Sequence, residues 1–284
     1  MKILVTGATG FVGNYVIELL LQSSHEVIAT SSSAQKAQPQ EWYKKVKYIP
    51  FDFKQFDDSI DYFSFFDRPA IMIHLAWEGL PNYNEDFHVN ENLPRHTAFL
   101  NNLIQNGLDD LTVTGTCLEY GMQEGCLSED SAVKPAVPYA IAKNELRKNL
   151  LAIKLHRAFR LKWARLFYMY GAGQSPKSLI SQLDQAISRN DEVFNMSGGD
   201  QVRDFLPVQT MAKYIVLIAT QRSTGGVINC CSGEPIRLKD FIIGYLEGKE
   251  KTIKLNLGYY DYPTYEPMRF WGNTSKLKLI LQNE

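Results

Sequence analysis

Cysteine is scarce in this chain. Four occur among 284 residues, Cys117, Cys126, Cys230 and Cys231, and none forms a CxxC pair. That spacing suggests neither a disulfide framework nor a zinc site, so no metal is expected. Each thiol reads first as a small buried hydrophobe. Runs of like charge are also missing, with 30 Lys and Arg against 31 Asp and Glu. A nucleic-acid or membrane-surface partner therefore has no electrostatic support. No apolar stretch approaches the roughly 20 residues a membrane helix needs. The opening MKILVTGATG reads as a strand and a turn, not as a signal peptide. A reducing cytoplasm is the expected setting. Internal repeats and low-complexity tracts are absent as well.

What the chain has in quantity is apolar residues, 45% of the whole. That suffices to bury one large domain, or a domain with an intimate second lobe. Short β-rich apolar runs fall at 2–6, 27–30, 46–49, 70–75, 111–114 and 161–167. Helical spacing appears over 11–22, 93–106, 139–156 and 211–221, and 227–230 reads as a strand that returns to the sheet. Alternation of this kind predicts an α/β fold, a Rossmann-type doubly wound parallel sheet. Strands that are apolar throughout agree with burial on both faces. The expected division is a dinucleotide-binding domain of 1–167 plus about 207–231. A smaller, discontinuous α/β substrate lobe would take 168–206 plus about 232–284.

Gly7, Gly10 and Gly13 lie between the first strand and the first helix. Glycines there let the backbone turn tightly against a pyrophosphate, and the helix N-terminus offers N–H groups and a positive dipole end. Gly7, Thr9, Gly10, Phe11 and Val12 are accordingly candidate cofactor contacts. An NAD site usually carries an acid about 20 residues on, bonded to the adenosine ribose. Ser31 stands there instead, followed by Ser32 and Ser33. Three hydroxyls and no carboxylate favour NADP(H), with NAD(H) second; the plain alternative is that these serines cap the following loop. After the third strand, Asp52 is placed to meet the adenine or to cap, with Phe53 beside it. Leu75, Ala76 and Trp77, at the end of the fourth strand, complete the set. Trp77 packs over the nicotinamide or sugar, or belongs to the core.

PYAIAK puts Tyr139 and Lys143 four residues apart, on one helix face. A phenol of pKa near 10 transfers protons poorly at neutral pH, and a neighbouring ammonium lowers that value. GATGFVG, HLAW, TGTCLEYG, PYAIAK, RLFYMYG and QVRDFLPV occur in this order. So ordered, the chain resembles the extended short-chain dehydrogenase/reductases, the nucleotide-sugar epimerase/dehydratase family, through to the closing EPMRFWGNTSKLKLIL.

The resemblance implies roles. Thr116, five residues before Gly121, orients the substrate oxygen; Tyr139 exchanges its proton; Lys143 binds the nicotinamide ribose and tunes Tyr139. The family's 4,6-dehydratases follow the Thr with an Asp–Glu pair. Cys117 and Leu118 stand here, which disfavours dehydration. The GDP-fucose-type enzymes use a Cys one place later, where this chain has Leu118, so Cys117 reads as packing beside the substrate. Glu119 and Tyr120 shape the turn. Arg203 matches a diphosphate-binding arginine, with Arg269 a possible second clamp and an ion pair the alternative for either. Tyr168 replaces the Asn that commonly contacts substrate. His74 reads as structural.

The resemblance is strongest to the reductases of nucleotide-activated 4-keto-6-deoxyhexoses, dTDP- or CDP-linked, here using NADPH. A nucleotide-sugar 4-epimerase with tightly bound NAD is the alternative, and an NADP-sensing protein the non-enzymatic one. A homodimer joined through helices 93–106 and 139–156 is implied.

Overall fold

Seven parallel strands form the central sheet of the computed structural model, which describes residues 1–282. They are β1 (Lys2–Thr6), β2 (Glu26–Thr30), β3 (Lys47–Tyr48), β4 (Ile71–His74), β5 (Asp110–Thr116), β6 (Arg160–Leu166) and β7 (Gly226–Cys230), in the spatial order β7-β6-β5-β4-β1-β2-β3. Strand order reverses at β1, which pairs with β2 on one side and β4 on the other. Connections leaving β1 and β4 diverge there, and the crevice between them is where such sheets bind ligands.

The principal helices are α1 (Phe11–Gln22), α2 (Leu93–Gln105), α3 (Pro138–Lys154) and α4 (Val208–Thr220). One apolar layer joins Val16, Ile17 and Leu20 of α1 to Met211, Ile215 and Ile218 of α4. The other joins Phe99, Leu100 and Leu103 of α2 to Leu146 and Leu150 of α3. Each strand of the sheet's centre is thereby buried on both faces, as its uniform apolarity requires. The sheet is the doubly wound α/β architecture expected.

Boundaries shift by small amounts for local reasons. The helix expected from Met211 begins at Val208, directly after Pro207, whose φ of −57° already suits a helix entry. A π turn over His88–Asn92, which periodicity does not signal, precedes α2. Beyond the sheet the chain forms two-stranded pairs: Tyr168–Tyr170 with Phe205–Pro207, Val202–Arg203 with Ile236–Arg237, and Val193–Asn195 with Lys254–Asn256. Ile180, Leu183, Phe194, Met196, Ile242 and Leu246 build a separate apolar cluster there. Among the described residues no helix is long and apolar enough to cross a membrane.

A buried ion pair joins β5 to β6. Lys162 on β6, fully buried, donates to Asp110 on β5 at 2.7 Å and to the Ala219 carbonyl at 2.6 Å. Asp110→Ala is expected to cost about 3–5 kcal/mol, because it leaves a buried ammonium without its counter-ion. Urea melts of Asp110→Ala and of Asp110→Ala with Lys162→Met should show much of the loss recovered in the double variant; equal losses would refute the account.

Candidate functional site

The glycine turn and the end of β4 meet at the switch point. Gly7 has φ +69°, and a Cβ on it would lie 2.8 Å from the Ala76 nitrogen. A Cβ on Gly13 would lie 2.2 Å from the Gly7 carbonyl oxygen. Both glycines are thus imposed by close backbone approach. Gly10 N-caps α1 without a side-chain cap bond, which leaves the helix N-terminus to a phosphate. Thr9, Phe11 and Val12 are part-buried beside it, as are Leu75, Ala76 and Trp77 across the crevice. This cradle fits a dinucleotide.

The serine cluster divides. The Ser31 hydroxyl is 2.8 Å from the Tyr48 phenol, whose O–H also reaches the Ser31 carbonyl at 3.1 Å. Ser33 accepts from the Lys36 N–H at the start of a short helix, the capping role. Ser32 is exposed and lines a surface hollow with Asp52. Asp52 itself caps, accepting from the Lys54 N–H at 2.9 Å, while Phe53 is buried against His96 at 4.4 Å between ring centroids.

Thr116 ends β5, and Tyr139 and Lys143 occupy the first turns of α3, which starts at Pro138. The structure brings all three together. The Thr116 side chain neighbours the Tyr139 phenol and acts to lower it, the weakest of the influences on that group. Its N–H donates to the Tyr83 carbonyl at 3.1 Å, and the two rings lie 5.5 Å apart. Burial pushes the Tyr139 phenol well up, and nearby Tyr83, Glu119 and Cys117 add to that. Lys143 is 1% exposed. Burial lowers its ammonium from 10.5 to about 7, against the opposite pull of Glu119.

Beneath Thr116 lies a contact set that sequence reasoning assigned only to turn shape. Glu119 accepts from the Thr116 N–H at 2.8 Å, from the Trp163 indole N–H at 3.0 Å and from Arg165 at 2.7 Å. Glu119 and Arg165 are both fully buried. Cys117 is buried among Tyr120, Phe167, Cys231 and Phe270, and burial raises its thiol, so it packs.

On the substrate side, Arg203 is 3% exposed and pairs with Glu266 at 3.0 Å. Its guanidinium lies 4.8 Å from the Phe270 ring and 5.7 Å from that of Tyr168. The Tyr168 hydroxyl is buried beside Glu266. Arg269 is exposed and offers its carbonyl to the Gly125 N–H. The ion-pair alternative therefore describes Arg203 as it stands, with a part-buried and not a surface partner. His74 is structural in its contacts, bonded to Thr6 and to His96 at 2.9 Å each. Sequence reasoning missed Tyr83, His88, Glu119 as an ion-pair partner, and Glu266. Of these, Glu119 lies within TGTCLEYG and Glu266 opens EPMRFWGNTSKLKLIL, whereas Tyr83 and His88 lie outside every motif. Among the described residues no group of three or more His, Cys, Asp or Glu is placed to hold a metal.

A glycine turn at the switch point of a parallel sheet, facing a Thr–Tyr–Lys cluster, defines a Rossmann-type nucleotide-binding protein. Residues 3–231 match the NAD dependent epimerase/dehydratase family, and the chain belongs to this NAD-dependent family of nucleotide-sugar-modifying enzymes. It is 26% identical over 275 residues to dTDP-6-deoxy-L-talose 4-dehydrogenase (NAD(+)) of Aggregatibacter actinomycetemcomitans, covering 96% of this chain and 99% of that one. It is 27% identical over 248 residues to GDP-6-deoxy-D-talose 4-dehydrogenase of the same organism, covering 82% and 75%. Among solved structures, UDP-glucuronic acid 4-epimerase from Bacillus cereus, in complex with UDP-glucuronic acid and NAD, superposes with a TM-score of 0.85 at 25% identity over 100% of this chain and 94% of that one.

The buried Lys143 charge has a measurable cost. Unfolded lysine titrates near 10.4, so between about pH 7 and that value the folded chain binds fewer protons and gains relative stability as pH rises. Lys143→Met is expected to melt above the parent chain at pH 7, and the gap is expected to close by about pH 10. A gap that stays constant over that range would contradict a buried, lowered Lys143.

Proposed function

We propose that this chain is a nucleotide-sugar oxidoreductase that interconverts the C4 keto and C4 hydroxyl forms of a nucleotide-activated 6-deoxyhexose. The observation that carries the reading is the Thr116–Tyr139–Lys143 cluster, with Cys117 and Leu118 following Thr116 in place of an acidic pair. Two relatives named as 4-dehydrogenases of 6-deoxytaloses support it, since dehydrogenation at C4 is 4-keto reduction run in reverse. In the reductive direction the Thr116 hydroxyl donates a hydrogen bond to the C4 carbonyl oxygen, and Tyr139 delivers its proton there. A dinucleotide held by the turn of Gly7 and Gly10 and the N-terminus of α1 would supply the hydride for C4. Lys143, as an ammonium, holds the ribose and stabilises the Tyr139 phenolate left behind.

For the cofactor we place NAD(H) ahead of NADP(H). Ser31 is engaged by Tyr48 and Ser33 by its helix cap, so of the three hydroxyls expected to greet a 2′-phosphate that of Ser32 remains. The absence of an acid at Ser31 keeps NADP(H) admissible. Arg203 is proposed for the diphosphate, and residues 168–206 with 232–284 as the substrate lobe, on the strength of their separate apolar cluster. The packing of α2 beside α3, with Leu151 and Leu155 exposed, supports a homodimer through those helices.

A 4-epimerase is the second reading, favoured by the UDP-glucuronic acid 4-epimerase structure that the chain resembles. Purified chain mixed with dTDP-4-keto-6-deoxyglucose and NADH or NADPH separates the two. A 4-oxidoreductase consumes reduced nicotinamide in step with product. An epimerase consumes none and releases NAD on denaturation. Tyr139→Phe is expected to lower kcat by about 10²-fold or more with dinucleotide affinity kept; turnover near that of the parent chain would remove Tyr139 from its role.

A further inference from the structure

The Lys143 ammonium lies 4.4 Å from the centroid of the Trp77 ring and 5.9 Å from that of Trp163. Trp77 cannot swing away easily. Its indole N–H donates to His88 Nδ1 at 3.0 Å, and the His96 ring stacks on it at 4.8 Å and 17°. An indole N–H only donates, so His88 Nδ1 accepts and the imidazole proton sits on Nε2. From there it reaches the Asn82 carbonyl at 2.9 Å. The same His88 ring is 5.3 Å from Tyr139, and Trp77 itself is 6.1 Å from it.

We propose that the face of Trp77 is the seat of the Lys143 ammonium, and that His88, by fixing the indole, is a positioning residue for the Tyr139–Lys143 pair. The inference rests on the reading of that pair given above. A buried ammonium needs something to replace its lost hydration. A carboxylate in direct contact would do so but would also bind the N–H groups that must reach a ribose. A ring face stabilises the cation and leaves those donors free.

Other groups face Lys143: His74 from β4, His88 from the π turn, His96 from α2, Tyr139 from its own helix, and Glu119 from the turn after β5, itself paired with Arg165. Burial holds all three histidines below their ordinary range and Tyr139 above its own. Between pH 7 and 10 the amine is thus the group of this cluster that changes charge.

The test compares thermal melts from pH 5 to 10 of four chains: the parent, Lys143→Met, Trp77→Leu, and the double variant. In the parent background the Lys143→Met gap is expected to begin closing near pH 7. In the Trp77→Leu background the onset should fall by about one pH unit, since the ring no longer favours the cation. Trp77→Phe, which keeps a ring, should restore part of the shift and guards against a misfolded Leu variant. His88→Leu should resemble Trp77→Leu more closely than His88→Gln does, because the amide oxygen still accepts the indole N–H. An onset unchanged across these backgrounds overturns the proposal. The melts need no substrate, so they stand whether or not the proposed reaction is found. If turnover is observed, its alkaline limb should fall with the melting onset. A shifted onset with an unmoved limb would keep the seat and remove Lys143's charge from the chemistry.

Discussion

One carboxylate, that of Glu119, ties the C-terminal end of β5 to β6. It takes hydrogen bonds from the Thr116 backbone, the Trp163 indole and the Arg165 guanidinium, so it couples the end of β5 to β6. A buried charge of this kind is tolerable only when its acceptor capacity is filled by good donors. The constraint propagates into the sequence. A Cβ on Gly115 would lie 2.1 Å from the Trp163 Nε1 and 2.4 Å from a Glu119 oxygen, so the glycine of TGT makes room for the carboxylate. Arg165 then stacks over Tyr120 at 4.3 Å, and the Tyr120 hydroxyl reaches Asn229 on β7 at 2.8 Å. A single ion pair thereby extends across three neighbouring strands, and Thr116 inherits its rigidity.

The same burial sets the electrostatics of the pair above. Removing water raises the Tyr139 phenol and lowers the Lys143 ammonium, which leaves both groups biased toward their neutral forms. Glu119 acts on the two in opposite senses: it favours the ammonium and disfavours the phenolate. Glu119 is itself paired with Arg165 at 2.7 Å. What remains is a site whose cation is supported by a distant anion and a near ring, and whose phenol keeps its proton until a positive charge is close.

How far this was legible in the sequence depends on separation along the chain. β1 and α1 fall where periodicity places them, at 2–6 and 11–22, because local propensity, the glycine turn and uniform burial all agree there. Thr116, Tyr139 and Lys143 were legible because each sits in a short motif with fixed spacing. The partners that fix them were not. Arg165 lies 46 residues from Glu119, and Glu266 lies 63 from Arg203. No local pattern links such pairs; only the sheet order and the return of the chain bring them into contact. The π turn that aims His88 at Trp77 is likewise invisible, since its one extra residue per turn leaves no apolar period. Ser31 shows the same limit: its hydroxyl contacts the Tyr48 phenol, 17 residues away, a partner that no local pattern announces.

The Arg203–Glu266 pair places a condition on any phosphorylated substrate. Side chains only 4% and 11% exposed hold the two charges together at 3.0 Å, so neither is solvated enough to part without cost. If Arg203 receives a diphosphate, the incoming oxygens must replace a carboxylate of the same sign, and the planar guanidinium can bind only so many acceptors at once. Glu266 must then turn toward water or toward the sugar's hydroxyls. It follows the segment of exposed tyrosines, Tyr259 and Tyr260, and lies beside Tyr265, whose ring is 6.3 Å from that of Tyr83. Tyr83 in turn is 5.5 Å from Tyr139. Contacts thus run from the surroundings of Glu266, through the rings of Tyr265 and Tyr83, to the packing around the Tyr139 phenol.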